Sequence, residues 1–403
     1  MTMRRVIQKP LSLFAVIALL ILILTIALIA LVHGAPGKSE AESGTLAGNS
    51  SLVSDTSASG GQAVKFGTTA PPVGSCNGAT DRVTVTSANK SSTYPAYPVG
   101  TKVYVPGGVD PWGGCFPGPY NTGVPAGTVL TNYTGPCSIT VANTVIDKKI
   151  VNCDRLDVHA LGIKITNSQI TGRVYIDDTW CATSSFTITD SSVYNPDSTT
   201  RALMYCSYVA TRVNLSGGGS MATCRSCTIQ DSYLHDPIQD PTGHAHNSTV
   251  RLGEYANLTH NTLWCNIATI QSTDGSGDSS GCSASETAYS HDGIPPYNTN
   301  VTRNYYAAIP DGYCGFGGST GGAGANQVHD VKFIQNIFQR GNMPNDWLPT
   351  PVYICGYYGP ITSLDLSLPG NEFTNNTWDN GKPLSTEQNT WADYCGSQPL
   401  CTW

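Results

Sequence analysis

Ser168-Gln169-Ile170 is followed by Ser191-Ser192-Val193, Val213-Asn214-Leu215 and Ser232-Tyr233-Leu234. The same unit returns at Asn261-Thr262-Leu263, Asn304-Tyr305-Tyr306, Asn336-Ile337-Phe338 and Asn376-Thr377-Trp378. It consists of a small or Asn residue, any residue, then a large apolar anchor. The first three spacings between anchors are 23, 22 and 19 residues; the later ones, 29, 43, 32 and 40, read as coils carrying inserted loops. A short-strand period of this size describes a solenoid, whose coils bury their inward side chains only by stacking on neighbours. Side chains alternate along a strand, so the anchor and the residue two before it point inward. The four late Asn residues suggest a stacked amide ladder that satisfies buried backbone groups at a turn. Leucine-rich repeats are excluded by the lack of a Leu skeleton, and propeller blades need a longer repeat. The expected fold is all-β, a single-stranded right-handed parallel β-helix.

Composition agrees. Only 12% of the 403 residues are Asp, Glu, Lys or Arg, while 40% are apolar and Gly (42), Pro (25) and Tyr (20) abound. Such a chain is neither a coiled coil nor a charged disordered polymer. The net charge is −7. Without Arg4, Arg5 and Lys9, the remainder holds 18 basic and 28 acidic residues, which repels phosphate backbones and argues against nucleic-acid partners.

Those three cations precede Leu11–Val32, an uncharged apolar run of 22 residues, long enough for a bilayer core. The expected organisation is a cytoplasmic basic tail (1–10), a transmembrane signal anchor (11–32) and a Gly/Ser-rich linker (33–75). An N-terminal cap region (76–136), the β-helix (137–385) and a disulfide-containing tail (386–403) follow. The expected location is the cell membrane, single-pass, with the ectodomain outside, or secreted after cleavage near residue 34. All 14 cysteines lie beyond the apolar run, and an even number in an exported chain implies disulfides. Loop-bracketing neighbours suggest Cys137 with Cys153 and Cys265 with Cys282. Cys224-Arg225-Ser226-Cys227 reads as a structural bridge rather than a redox centre.

The sequence resembles an uncharacterised group of secreted bacterial right-handed β-helix proteins of the pectin-lyase-like fold. The resemblance covers roughly residues 125–385. It is carried by Gly127-Thr128-Val129-Leu130, Asn143-Thr144-Val145-Ile146-Asp147, Ile165-Thr166-Asn167-Ser168, Cys227-Thr228-Ile229-Gln230-Asp231-Ser232 and His260-Asn261-Thr262-Leu263, with further matches around Gly281-Cys282 and Gly317-Gly318. It implies a polysaccharide-active fold but does not fix an activity. Within the linker, Glu40–Gly44 and Ser57–Phe66 resemble pieces of β-sandwich carbohydrate-binding modules, too short for a working module and read as a remnant or a short hairpin.

Chemistry concentrates at His235-Asp236, Asp240, His244, His246, Arg251, Glu254 and His260. β-Elimination of a uronate glycan needs a base, a group that neutralises the carboxylate, and a proton donor. The expected catalytic residues are His246, Arg251 and His260. His244-Ala245-His246, if a strand, puts both imidazoles on one face, with Asp236 and Asp240 as candidate ligands for a metal such as Ca²⁺. The position three before each anchor carries Asn167, Asp190, Arg212, Asp231, His260, Arg303, Gln335 and Asn375. It reads either as a surface ion-pair ladder or as the floor of a saccharide groove. In the groove reading Tyr233, His235, Arg212, Arg303 and Tyr305 bind substrate. Asp177-Asp178 and Gly243-His244 resemble the polygalacturonase pattern faintly, but its Asn-Thr-Asp and Arg-Ile-Lys elements are absent. The expected function is an extracytoplasmic polysaccharide lyase, with a non-catalytic glycan-binding or adhesin-like β-helix as the alternative. Its expected partners are a polysaccharide or cell-surface glycan and, through the N-terminal helix, the membrane; the chain is expected to be a monomer.

Overall fold

The computed structural model describes residues 50–54, 62–66, 76, 82–90, 94, 96–288, 295–319, 327–341 and 353–384. The apolar run 11–32, the stretch His291-Asp292-Gly293 and the tail with Cys395 and Cys401 lie outside them. Among the described residues, no helix is long and apolar enough to cross a membrane. The chain forms two units, 1–69 and 70–403. In the first, Ser50–Ser54 and Gln62–Phe66 pair as an antiparallel hairpin.

The second unit is a stack of parallel strands on three faces, compatible with a parallel β-helix. The first sheet has nine strands in chain order, from Val145–Asp147 and Ile163–Thr166 to His329–Ile334 and Glu372–Thr374. The second carries the anchors: Gln169–Tyr175, Ser192–Asn195, Asn214–Gly217, Tyr233–His235, Thr262–Trp264, Tyr305–Tyr306, Ile337–Phe338 and Thr377–Trp378. The third includes Arg201–Met204, Ser220–Cys224, His246–Leu252, Ala284–Thr287, Tyr313–Phe316 and Gly359–Thr362.

The anchors fall into one column. Ile170 sits beside Val193, then Leu215, Leu234, Leu263, Tyr306, Phe338 and Trp378, each directly paired with the next. All eight are buried, and the Tyr306 and Phe338 rings stack at 4.5 Å. With strands about 4.8 Å apart, each anchor covers the one below. Burying each contributes on the order of 2 kcal/mol.

Between the first and second sheets the chain turns sharply on one left-handed residue. Asn167, Asp190, Arg212, Asp231, His260, Arg303, Gln335 and Asn375 have φ between 48° and 58°. These are the residues three before each anchor. The bend throws the next residue inward, where its backbone would lack partners. The amide ladder resolves this. Nδ2 of Asn261, Asn304 and Asn336 donates to Oδ1 of the next Asn at 3.0, 3.1 and 3.0 Å. Each also donates to a carbonyl of the preceding coil, at 2.9 Å in every case. Earlier coils use hydroxyls: the backbone N–H of Ser168 donates to Ser191 Oγ and that of Val213 to Ser232 Oγ.

The segment before the coils does more than begin them. Val83–Thr84 pairs with Lys102–Val103, and Val85, Tyr94, Tyr97 and Val103 form a small core. Tyr97 donates a short hydrogen bond to the Asp379 carboxylate, and the Tyr104 N–H donates to the Asp379 carbonyl at 2.8 Å. Further along, Asp110 meets His260, and the N–H groups of Gly123 and Val124 reach the Arg212 carbonyl and Ser192 Oγ. Residues 96–124 are therefore a strap running from the last coil back to the early ones, over the second sheet and its turn column.

Six disulfides lie among the described residues. Cys137–Cys153, Cys265–Cys282 and the bridge Cys224–Cys227 are as read from the sequence. Cys76–Cys115 ties the start of the strap, and Cys181–Cys206 and Cys314–Cys355 hold loops to the coils.

Candidate functional site

The polar cluster read along the sequence is dispersed around the coil. Its turn-column part is a set of paired side chains. Arg212 Nε and Nη2 donate to the two oxygens of Asp190, both at 2.7 Å, and Arg303 Nε donates to Gln335 Oε1 at 3.0 Å. His260 lies between Asp231 (Nδ1, 2.7 Å) and Asp110 (Nε2, 3.0 Å), with Phe116 and Trp112 around its ring. Burial alone would lower the imidazole; the two carboxylates outweigh it and raise its pKa to about 9. Asp110 is buried too, yet His260 and the N–H groups of Gly114 and Trp112 hold it below the ordinary range. His260 is thus an imidazolium bolt for the strap, with both ring nitrogens engaged.

The groove-floor reading of this column is corrected by the same strap. Tyr305 is fully buried beneath Phe116, with ring centroids 4.9 Å apart, and its hydroxyl donates to the Tyr104 carbonyl. Tyr233 is buried and stacks on His235 at 3.9 Å. Neither ring offers a face to a sugar. His235 faces Asp236 at 2.6 Å and Asn214 Oδ1 at 3.0 Å, and burial lowers its pKa against the opposing pull of Asp236. Arg212 and Arg303 stay exposed, the latter 5.7 Å from the Trp112 ring centre.

The metal reading is corrected likewise. Asp240 is ringed by protein donors: Thr242 N and Oγ1, His244 N and Ala245 N. Those hydrogen bonds, the Thr242 N–H foremost, hold its pKa at about 2 and occupy the lone pairs a cation would need. Asp236 accepts instead from His235 and Asn266. His244 precedes the strand that begins at His246, and the two imidazoles diverge: His244 to Asp274 and Asp278, His246 to Ser283. Among the described residues, the one trio of donors close enough for a metal is Asp178, Cys181 and Cys206, whose cysteines are disulfide-bonded to each other.

His246 opens instead onto a cleft of about 390 Å³ on the third face, lined among others by Gln271, Ser283, Asp311, Tyr313 and Tyr358. Its strand pairs with Ser279–Cys282, placing His246 opposite Gly281. Disulfide Cys265–Cys282 and the short antiparallel pairing of Ile270–Gln271 hold the intervening loop as one wall. Gly281 is required here. A Cβ on it would stand 2.9 Å from the Thr269 Cα and 3.2 Å from Asp311 Oδ2, so a side chain here would push back the wall at Thr269 and crowd the carboxylate. Burial raises the Asp311 pKa, opposed by the Gly312 N–H and by the nearby His246. Tyr358 is 41% exposed, with its ring centre 5.7 Å from that of Tyr313. Arg251 lies on the same strand, and its guanidinium donates to the His246 carbonyl at 2.6 Å.

The structure therefore brings His246 and Arg251 together but leaves His260 at another corner. It adds Asp311, Ser283, Tyr313 and Tyr358, which the sequence reading missed. Asp311-Gly312 looks like an ordinary turn pair in sequence, and only coil stacking brings it beside His246. No protein-family model, curated protein or solved structure matches this chain.

Proposed function

We propose that this chain is an extracytoplasmic polysaccharide-active protein, a right-handed parallel β-helix of the pectin-lyase-like kind, whose active centre is the His246 cleft. The reaction proposed is β-elimination on a uronate-containing glycan. The six disulfides favour an oxidising compartment. Parallel crossovers within one sheet are nearly always right-handed, which favours that hand. One observation carries the catalytic reading: an outward imidazole and a carboxyl raised by burial share one cleft beside an arginine.

In this scheme His246 takes the C5 proton. The C–H electron pair becomes the C4=C5 double bond as the C4–O bond breaks. Asp311, held toward its protonated form, gives a proton to the leaving oxygen. Arg251 faces the uronate carboxylate, and Tyr313 and Tyr358 stack on sugar rings. Hydrolysis is disfavoured because it needs two carboxylates across the bond, and among the described residues Asp311 is the one carboxylate in the lining.

The test is incubation of the chain with a panel of uronate polysaccharides, with and without chelator, following absorbance of unsaturated ends. A signal lost in His246→Ala supports the reading. No signal on any substrate, with glycan still captured, overturns catalysis and leaves a glycan-binding protein.

A further inference from the structure

We propose a second saccharide site on a different face, a trough on the outside of the first sheet that takes an extended, neutral glycan. The trough has a volume of about 670 Å³. Its floor is the corner where each coil enters the first sheet. The register of neighbouring strands puts Gly162, Ser185, Ser207 and Ser226 at that corner in successive coils, followed by Tyr255. Four small residues leave the corner low, and the fifth closes it. The Tyr255 ring, 50% exposed, stands as an end wall, backed by Tyr297 at 5.1 Å, which itself stacks on His329 at 5.2 Å. Thr187, Val209 and Thr228, outward on their strands, form one flank.

Length, surface and charge together select the ligand. Five coils at about 4.8 Å make a trough roughly 19 Å long, suited to an extended chain of several sugars rather than a monosaccharide. The lining offers hydroxyls beside apolar surface and an open aromatic ring, which matches the hydroxyls and C–H faces of a pyranose. Among the described residues no carboxylate lines it, and Lys164 is its one charged residue, in a chain whose net charge is −7. The acid nearest in sequence to Tyr255, Glu254, is neutralised by Arg225 at 2.8 Å. A uronate chain would bring many negative charges to a site with one cation. A neutral glycan meets no mismatch. This site is independent of the His246 chemistry: it would hold the protein on a matrix whether or not the cleft cleaves.

The test is affinity electrophoresis of the full chain through gels containing a soluble β-1,3-glucan, a β-1,4-mannan or a dextran, with sedimentation of the same samples. Retardation by at least one glycan is expected, weakened tenfold or more in Tyr255→Ala and in Thr187→Trp, which fills the trough from an exposed position. His246→Ala should be retarded like the parent, separating this site from the cleft. Circular dichroism checks that the variants are folded. The proposal is overturned if no neutral glycan retards the chain, or if folded Tyr255→Ala and Thr187→Trp are retarded as strongly as the parent. Self-association lost in Tyr255→Ala without any glycan retardation also overturns it, since the trough would then belong to a second copy.

Discussion

His260 and His246 lie 14 positions apart in sequence, on neighbouring parts of the coil, and meet opposite fates. His260 sits on the left-handed turn between the first two sheets, where the strap brings Asp110 to join Asp231. Both nitrogens are spent on carboxylates and its charge is fixed. His246 starts a strand on the third face, away from the strap, and among the described residues its imidazole shares one hydrogen bond, with Ser283 Oγ. The difference teaches that saturation, not residue type, gives His260 its structural place and leaves His246 open to the reactive role proposed for it. A group with every lone pair and proton committed stabilises; a group in a cleft with a raised carboxyl beside it can exchange protons.

The sharpest way to break this comparison is to remove each histidine. On a uronate substrate, His246→Ala should cost about 10²–10⁴-fold in turnover, the usual range for a general base, and leave the melting temperature nearly unchanged. His260→Ala should do the reverse. Losing the imidazolium leaves a buried Asp110 carboxylate, 2% exposed, facing Asp231. Breaking such a pair costs about 3 kcal/mol, which should lower the melting temperature by roughly 5 °C or more. Loss of activity in His260→Ala at low temperature, with normal activity in His246→Ala, would reverse the two assignments.

pH sharpens the same contrast. The His260 pKa rises from an unfolded value near 6.5 to about 9, so its stabilisation is present below the lower value and is lost as pH climbs through the upper. Asp110 is lowered, so its share is present above the ordinary carboxylate range and fades as pH falls below it. Protection of the amides across 104–124, taken relative to intrinsic exchange at each pH, should therefore be greatest between roughly pH 4 and 6.5 and fall above about 9. Exchange in the third-sheet strands should not follow that profile. If the two regions change together, the strap is not clamped by His260.

How much of this was legible follows from which contacts repeat. The anchor column and the amide ladder recur once per coil, so Ile170 through Trp378 and Asn261 through Asn376 announce themselves in the sequence. The turn column was legible as a position, and its ion pairs as one of two readings. The strap was not legible: Asp110 and His260 are 150 residues apart and meet once, with no period to reveal them. The cleft was half legible. His246 and Arg251 share a strand, but the inserted loop from Cys265 to Cys282 breaks the phase that would align Asp311 with them. His244-Ala245-His246 failed as a metal face because the strand begins at His246, so alternation never applied to His244.

The smallest expected effect tests the turn column itself. Arg212 and Arg303 share their left-handed position with His260, but the strap leaves them exposed, Arg212 at 46% for its side chain. Exposed pairs contribute about 0–1 kcal/mol even with good geometry, because solvent screens them and two long side chains must be held still. Arg212→Ala should therefore shift stability by less than about 1 kcal/mol, and the shift should shrink further in molar salt. Arg303→Ala should behave alike and leave glycan binding at the parent level, since its column lies beside the strap rather than in the cleft or the trough. Denaturant titrations of both variants at two salt concentrations, with glycan electrophoresis alongside, measure this. A fall in glycan binding in Arg303→Ala would return the turn column to the role of a binding surface, and the strap would then be one of its walls.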